Sequence, residues 1–265
     1  MVVQNPAEQW RNKRVVITGA GRGIGAGIAA GFAAGGASVL IVARSVAELA
    51  ETKSELVALG GRAEMLPVDL TVPEAAGRVI ETARGLFGGI DILVTNAGAA
   101  PQGSFLELPD EAWPEGFGLK MFANLRVIRH AWPLLKESKG SIVMIGGTTA
   151  KQPERHLALV GAVNGGQAAL SKAVAEQGYL DGIQVNLVQP GTIWTSRRDK
   201  LFTRLAREAG ETLEQFLKRY VETRRIARLG EPGDVANAVT FLCRAESRWI
   251  HGTILDVDGG QTKCV

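Results

Sequence analysis

Two cysteines, Cys243 and Cys264, are all the thiols in 265 residues, which excludes a disulfide framework. Sparse thiols fit a reducing compartment. No run approaches the ~20 apolar residues of a membrane span. The first twelve residues, MVVQNPAEQWRN, hold no apolar targeting core, so a cytoplasmic location is expected. Charge of one sign is also lacking: 30 Lys and Arg stand against 27 Asp and Glu, a net +3. With a hydrophobic share of 46%, this is not the composition of a disordered chain. The 33 glycines follow no three-residue period, so a collagen-like rod is excluded. Tyrosine is as scarce as cysteine, with Tyr179 and Tyr220 alone.

What is present alternates. Short β-branched runs at Arg14–Thr18, Ser38–Ala43, Ala63–Val68, Ile90–Thr95, Ser141–Ile145, Gln184–Val188 and Thr253–Val257 read as strands. Helical spacing falls at Ile24–Gly35, Val46–Leu59, Pro73–Phe87, Pro109–Glu137, Val160–Glu176, Arg198–Ile226 and Pro232–Cys243. Continuous apolar strands are buried on both faces, as in a parallel sheet. Repeated βα units predict a single doubly wound α/β domain over residues 1–265, with a seven-stranded, mainly parallel sheet. Pro73 and Pro232 suit the first turn of a helix, where no N–H is needed.

The first strand runs into Thr18-Gly19-Ala20-Gly21-Arg22-Gly23-Ile24-Gly25. Glycines between a strand and a helix let backbone approach a pyrophosphate at the helix N-terminus. Close helix–strand packing would use glycine too, but the position after the first strand favours binding. The second strand ends at Ala43-Arg44-Ser45, where an acid would accept the ribose 2′-OH of NAD. Arg44 and Arg22 suit a 2′-phosphate instead, so NADP(H) is favoured over NAD(H). Two solvated surface arginines are the plainer alternative.

Together with Asp69-Leu70-Thr71, Asn96-Ala97-Gly98, Pro190-Gly191-Thr192-Ile193-Trp194-Thr195, Arg228-Leu229-Gly230-Glu231-Pro232 and Asp256-Val257-Asp258-Gly259-Gly260, the chain resembles the short-chain dehydrogenase/reductase family over nearly its whole length. The resemblance implies that Gly19, Arg22, Gly23, Ile24, Gly25 and Arg44 bind cofactor. It sets Asp69 and Leu70 at the adenine, and Asn96, Ala97 and Gly98 along the adenine-ribose side. Pro190, Gly191, Ile193 and Thr195 would hold the nicotinamide carboxamide. Asp69 could equally cap a turn. No metal site is assigned.

The family's chemistry uses an Asn, a Ser and a Tyr-x-x-x-Lys, the Tyr acting as acid or base. Four residues after Tyr179 and Tyr220 stand Ile183 and Arg224, so this chain has no Tyr-x-x-x-Lys. Family spacing from Pro190 places the Tyr position on Val160 and the Lys position on Asn164. It places the Ser position on Gly147 and, counted from Pro133, the Asn position on Lys120. Substitute groups are Lys120, whose pKa burial would lower, His156, Asn164 toward the nicotinamide ribose, and the hydroxyls of Thr148 and Thr149. Each also has a plainer role at the surface or in a turn.

In the family a segment near 196–228 covers the substrate pocket. Between Arg197 and Arg228, ten basic residues stand against five acidic ones. A basic cover suits an anionic small molecule; a solvated amphipathic helix explains the same charges. No nucleic-acid module accompanies them, and neither a nucleic acid nor a membrane is expected as partner. The family's long helices imply a homodimer or homotetramer. Three functions follow: an atypical NADP(H) oxidoreductase, which is favoured, reducing a C=C or a carbonyl; an inactive NADP(H)-binding or scaffold protein partnering an active relative; and a non-redox lyase or isomerase.

Overall fold

The computed structural model describes residues 8–264. Residues 1–7 of the segment read for a targeting core lie outside them, as does Val265 at the far end of the expected domain. The strands are β1 (Arg14–Thr18), β2 (Ser38–Ala43), β3 (Arg62–Pro67), β4 (Ile92–Thr95), β5 (Ser141–Ile145), β6 (Gln184–Pro190) and β7 (Ile254–Val257). They form one sheet in the order β3-β2-β1-β4-β5-β6-β7, every pairing parallel. Successive side chains of a strand face opposite ways. Val15, Ile17, Val39 and Ile41 enter one core with Phe32, Leu49 and Val235. Val16, Leu40 and Val42 enter another with Val79, Val127 and Leu187. Burial on both faces is why the central strands read as unbroken apolar runs.

Helices α1 (Gly23–Ala33), α2 (Val46–Ala58) and α9 (Pro232–Cys243) supply the first core. Helices α3 (Ala75–Phe87), α5 (Asn124–Ser138) and α6 (Ala158–Asp181) supply the second. The architecture is the expected single doubly wound α/β domain. Pro232 opens α9 as expected, but α3 starts at Ala75, so Pro73 lies in the preceding turn. Strand ends shift by up to a few residues: β4 starts at Ile92 and β6 runs on to Pro190. Helix α1 stops at Ala33, while α6 continues to Asp181. No helix of the described residues is long and apolar enough to cross a membrane.

Two helical expectations fail where the chain meets the site. The segment Pro109–Glu137 is not one helix. It forms α4 (Ala112–Phe117), a π-helical stretch over Gly118–Ala123, and then α5. Wider turns displace the regular backbone ladder. The Lys120 carbonyl in this stretch accepts from Asn124 Nδ2 and Gln167 Nε2, both at 2.8 Å. Asn124 Nδ2 also reaches the Ala97 carbonyl at 3.1 Å, tying the stretch to the end of β4. The segment Arg198–Ile226 divides into α7 (Ser196–Glu208) and α8 (Leu213–Arg224). Gly210, at φ +69°, turns the chain between them, and Thr212 with Gln215 forms a capping box that starts α8. Phe202, Ala206 and Phe216 pack into a small core of their own.

Candidate functional site

Strand order reverses between β1 and β4, the point at which a crevice opens beyond the strand ends of such a sheet. It has a volume of about 730 Å³ and is lined along its length by Arg44, Asp69, Gly19, Gly23, Ala97 and Thr195. The glycines are required there. A Cβ on Gly19, whose φ is +65°, would stand 2.8 Å from Ala97 Cα, and one on Gly25 would stand 2.3 Å from the Gly19 carbonyl oxygen. Thr18 Oγ1 accepts from the backbone N–H groups of Asn96 and Ala97 at 3.1 and 3.0 Å. Asn96 Nδ2 donates to the carbonyls of Thr18 and Gly19 at 3.1 and 2.9 Å. The strand ends and the glycine turn are thus one hydrogen-bonded unit. Helix α1 begins here with no side-chain cap on its first N–H groups, leaving the positive end of its dipole at the crevice wall.

All the expected residues from Gly19 to Gly98 line this crevice except Gly25, which packs beneath it. The two arginines are not free. Arg22 Nη1 lies 2.9 Å from Glu48 Oε1, and Arg44 Nη1 lies 3.9 Å from Asp69 Oδ2. Both pairs are solvent-exposed and therefore weak. Asp69 does cap a turn: its Oδ1 accepts from the Thr71 backbone N–H at 2.9 Å and hydroxyl at 2.8 Å. Those bonds, the backbone one first, hold its carboxyl below the usual range.

Beyond Thr195 the crevice continues into a deeper cavity of about 440 Å³. Four separated stretches meet in it: Lys120, Gly147, Val160 and Asn164 all contribute to its wall. Pro190 and Gly191 form part of the same wall, and Ile193 and Thr195 line the passage toward the crevice. Lys120 points into the cavity, where Nζ donates to the Gly146 carbonyl at 3.2 Å. Burial, and then the nearby charge of Arg197, pull its pKa down to about 8. Asn164 is buried, and its Nδ2 donates to Thr149 Oγ1 at 2.7 Å. Its Oδ1 has no partner among the described residues. Thr148 is buried beside it. His156 stands at the rim with its side chain 64% exposed, 3.7 Å from Glu154.

Position 147 is constrained by 164. A Cβ at Gly147 would meet Asn164 Nδ2 at 2.7 Å. Gly147→Ser is therefore expected to displace Asn164 from Thr149 and to lower stability by about 1 kcal/mol. Urea unfolding of this variant and of Gly147→Ser/Asn164→Ala checks it: the double variant should show no additional loss from the serine.

Linear reading missed Tyr220. It lines the deep cavity, with its hydroxyl 2.9 Å from Thr192 Oγ1 and its ring centroid 4.9 Å from that of Phe202. Only the fold of α8 onto α7 brings it there, and no local motif signals that. Arg224, one turn on, makes a two-pronged ion pair with Glu154 at 2.7 and 2.8 Å. This pair joins α8 to the opposite rim.

Residues 19–262 match the family model described as enoyl-(acyl carrier protein) reductase. Among curated proteins, the short-chain dehydrogenase/reductase FrzI of Cladobotryum sp is 29% identical, over 97% of this chain and 98% of its own. Among solved structures, L-sorbose reductase from Gluconobacter frateurii, complexed with NADPH and L-sorbose, superposes with a TM-score of 0.93 at 32% identity, covering 97% of this chain and 100% of that one. An NADPH-bound short chain oxidoreductase from Pseudomonas aeruginosa PAO1, described as containing an atypical catalytic center, gives a TM-score of 0.87 at 27% identity, over 97% and 99% of the two chains. The fold, the glycine turn and these matches spanning nearly the whole sequence establish that the chain belongs to the short-chain dehydrogenase/reductase family of oxidoreductases.

Proposed function

We propose that the protein is an NADP(H)-dependent reductase of an anionic small molecule, and that Lys120 moves the proton that the family's Tyr would move. One observation carries this: Lys120 Nζ lies in the cavity walled by the substituted tetrad positions, bonded to Gly146 O at 3.2 Å. The crevice leading to that cavity fits a dinucleotide, since Gly19 and Gly25 keep backbone where a Cβ would clash and the first N–H groups of α1 carry no cap. When bound, the nicotinamide supplies or accepts a hydride.

The chain's own groups do the rest. Gly19, Gly23 and Ile24 hold a pyrophosphate with backbone at the start of α1. Asn164 Oδ1, an orphaned buried acceptor, suits a ribose hydroxyl. Lys120 Nζ, with a pKa of about 8, is charged in most molecules at pH 7. It can stabilise developing negative charge on a substrate oxygen or α-carbon and then release a proton to it. His156 is too exposed for that task. The reducible group is a carbonyl or an activated C=C bond. The NADPH-bound Pseudomonas relative with an atypical catalytic center is a precedent for NADPH binding beside an atypical centre. The exposed side chains of Tyr179, Leu180 and Trp249 suit assembly as a homodimer or homotetramer.

Calorimetric titration with NADPH and NADH tests the cofactor assignment. NADPH is expected to bind more tightly than NADH. Arg44→Ala should weaken NADPH by about tenfold or more, as loss of a charge-assisted contact predicts, and leave NADH unchanged. Binding of neither nucleotide would overturn the redox reading. Tight NADPH binding with no hydride transfer to any carbonyl or enone would favour a binding or scaffold role instead.

A further inference from the structure

The first turn of α7 carries Arg197 and Arg198. Arg198 lines both the deep cavity and the passage to the crevice. Its guanidinium lies over the Phe202 ring, 5.4 Å from the centroid. Four other arginines of this segment have carboxylate partners: Arg224 with Glu154, Arg219 with Glu211, Arg204 with Glu208 and Arg228 with Asp234. Of those without one, Arg197, Arg207 and Arg225 do not line the deep cavity, whereas Arg198 does. Arg198 makes no such pair and donates no side-chain hydrogen bond among the described residues. Glu154, the nearest acid of the cavity wall, is already held on both oxygens by Arg224.

The position is unfavourable for a cation on two counts. Burial withdraws water from the guanidinium and depresses its pKa. A positive charge in a helix's first turn also opposes the dipole, and Arg198 is the third residue of α7, its N–H capped by Thr195 Oγ1. A half-buried charge placed against both effects calls for an anion to complete it. The planar fork of an arginine presents two parallel donors that match a carboxylate. The Phe202 ring supports the guanidinium, and none of the guanidinium N–H donors is used within the described residues.

Resting on the reductase reading, we infer that Arg198 is the substrate-specificity residue. It binds a carboxylate of the substrate while the reducible group lies toward Lys120, so the substrates are oxo- or enoyl-carboxylates rather than neutral ketones, sugars or steroids. Both residues line both cavities, so one small molecule can reach from one to the other. A neutral substrate would leave Arg198 half-buried and unpaired.

The test measures binding by calorimetry on the protein saturated with NADP+, which cannot donate hydride, with 4-oxopentanoate, its methyl ester and inorganic phosphate as probes. The carboxylate is expected to bind at least tenfold more tightly than the ester. Arg198→Gln should remove that preference, with NADPH affinity unchanged and thermal stability unchanged or raised. Arg198→Lys should keep part of it. Arg207→Gln, an exposed charge change on the same helix, should keep all of it. Equal affinity for acid and ester, tighter binding of phosphate than of carboxylate, or an Arg198→Gln variant that still prefers the acid would overturn the assignment. The NADPH titration is separate, so failure of the reductase reading is seen independently of failure at Arg198.

Discussion

Lys120→Met is expected to make the protein more stable at neutral pH while removing reductive turnover. Lys120 is held with its ammonium stripped of water and facing the charge of Arg197, which lowers its pKa to about 8. An unfolded lysine titrates near 10.4. At pH 7 the folded state therefore bears a charged group that the unfolded state carries at less cost. Methionine has similar length and no charge. Each pKa unit corresponds to ~1.4 kcal/mol, and the variant forfeits the bond to Gly146 O. A net gain of about 2 kcal/mol at pH 7 is the expected size. The sign of the pH dependence follows from proton counts. Between about pH 8 and pH 10 the unfolded wild type binds more protons than the folded one, so its stability rises with pH through that window. The methionine variant lacks this rise, and the two curves converge. Wild-type reduction should fall as pH passes about 8, where Nζ loses its proton. Urea unfolding at several pH values and NADPH consumption, run on the same preparations, decide it. A variant less stable at pH 7 would overturn the cost assigned to the buried charge, and one keeping a tenth of wild-type turnover would remove Lys120 from the chemistry.

Gly25→Ala should have the largest effect on the cofactor crevice. The added Cβ would stand 2.3 Å from the Gly19 carbonyl oxygen and 2.6 Å from Asn96 Nδ2. The first is backbone and cannot swing aside. The glycine turn has to move, and with it the Thr18–Asn96 hydrogen bonds that fix the end of β4. A loss of about 3 kcal/mol is expected, with loss of measurable NADPH binding. Gly165→Ala is the matched control. Gly165 lies within α6, and a Cβ there meets nothing within 4 Å, so the variant should bind NADPH normally and gain about 0.5–1 kcal/mol from helix propensity. Equal behaviour of the two variants would mean that the close approach at Gly25 does not govern binding.

Central strands such as β1, β2 and β5 were legible in the sequence because burial on both faces leaves an unbroken apolar run. Glycines of the first turn were legible because only a tight approach of backbones calls for so many at that place. The interruption of Pro109–Glu137 was not. The π-helical stretch is held by Gln167, forty-seven residues away in sequence, and no local pattern encodes such a bond. The orientation of Lys120 depends on that stretch and was hidden with it. Arg22 and Arg44 are legible as residues of the crevice from their places after β1 and β2, but their carboxylate neighbours Glu48 and Asp69 belong to other elements. The place of Tyr220 follows from how two short helices fold together, which composition does not record.

The short reach between a Cβ at 147 and Asn164 Nδ2 also imposes an order on change. Serine at 147 is resisted while asparagine stays at 164. A redesign that wants a hydroxyl at 147 therefore begins with a substitution at 164, and the reverse order crosses a less stable intermediate. One amide thus sets the sequence in which the two positions can change.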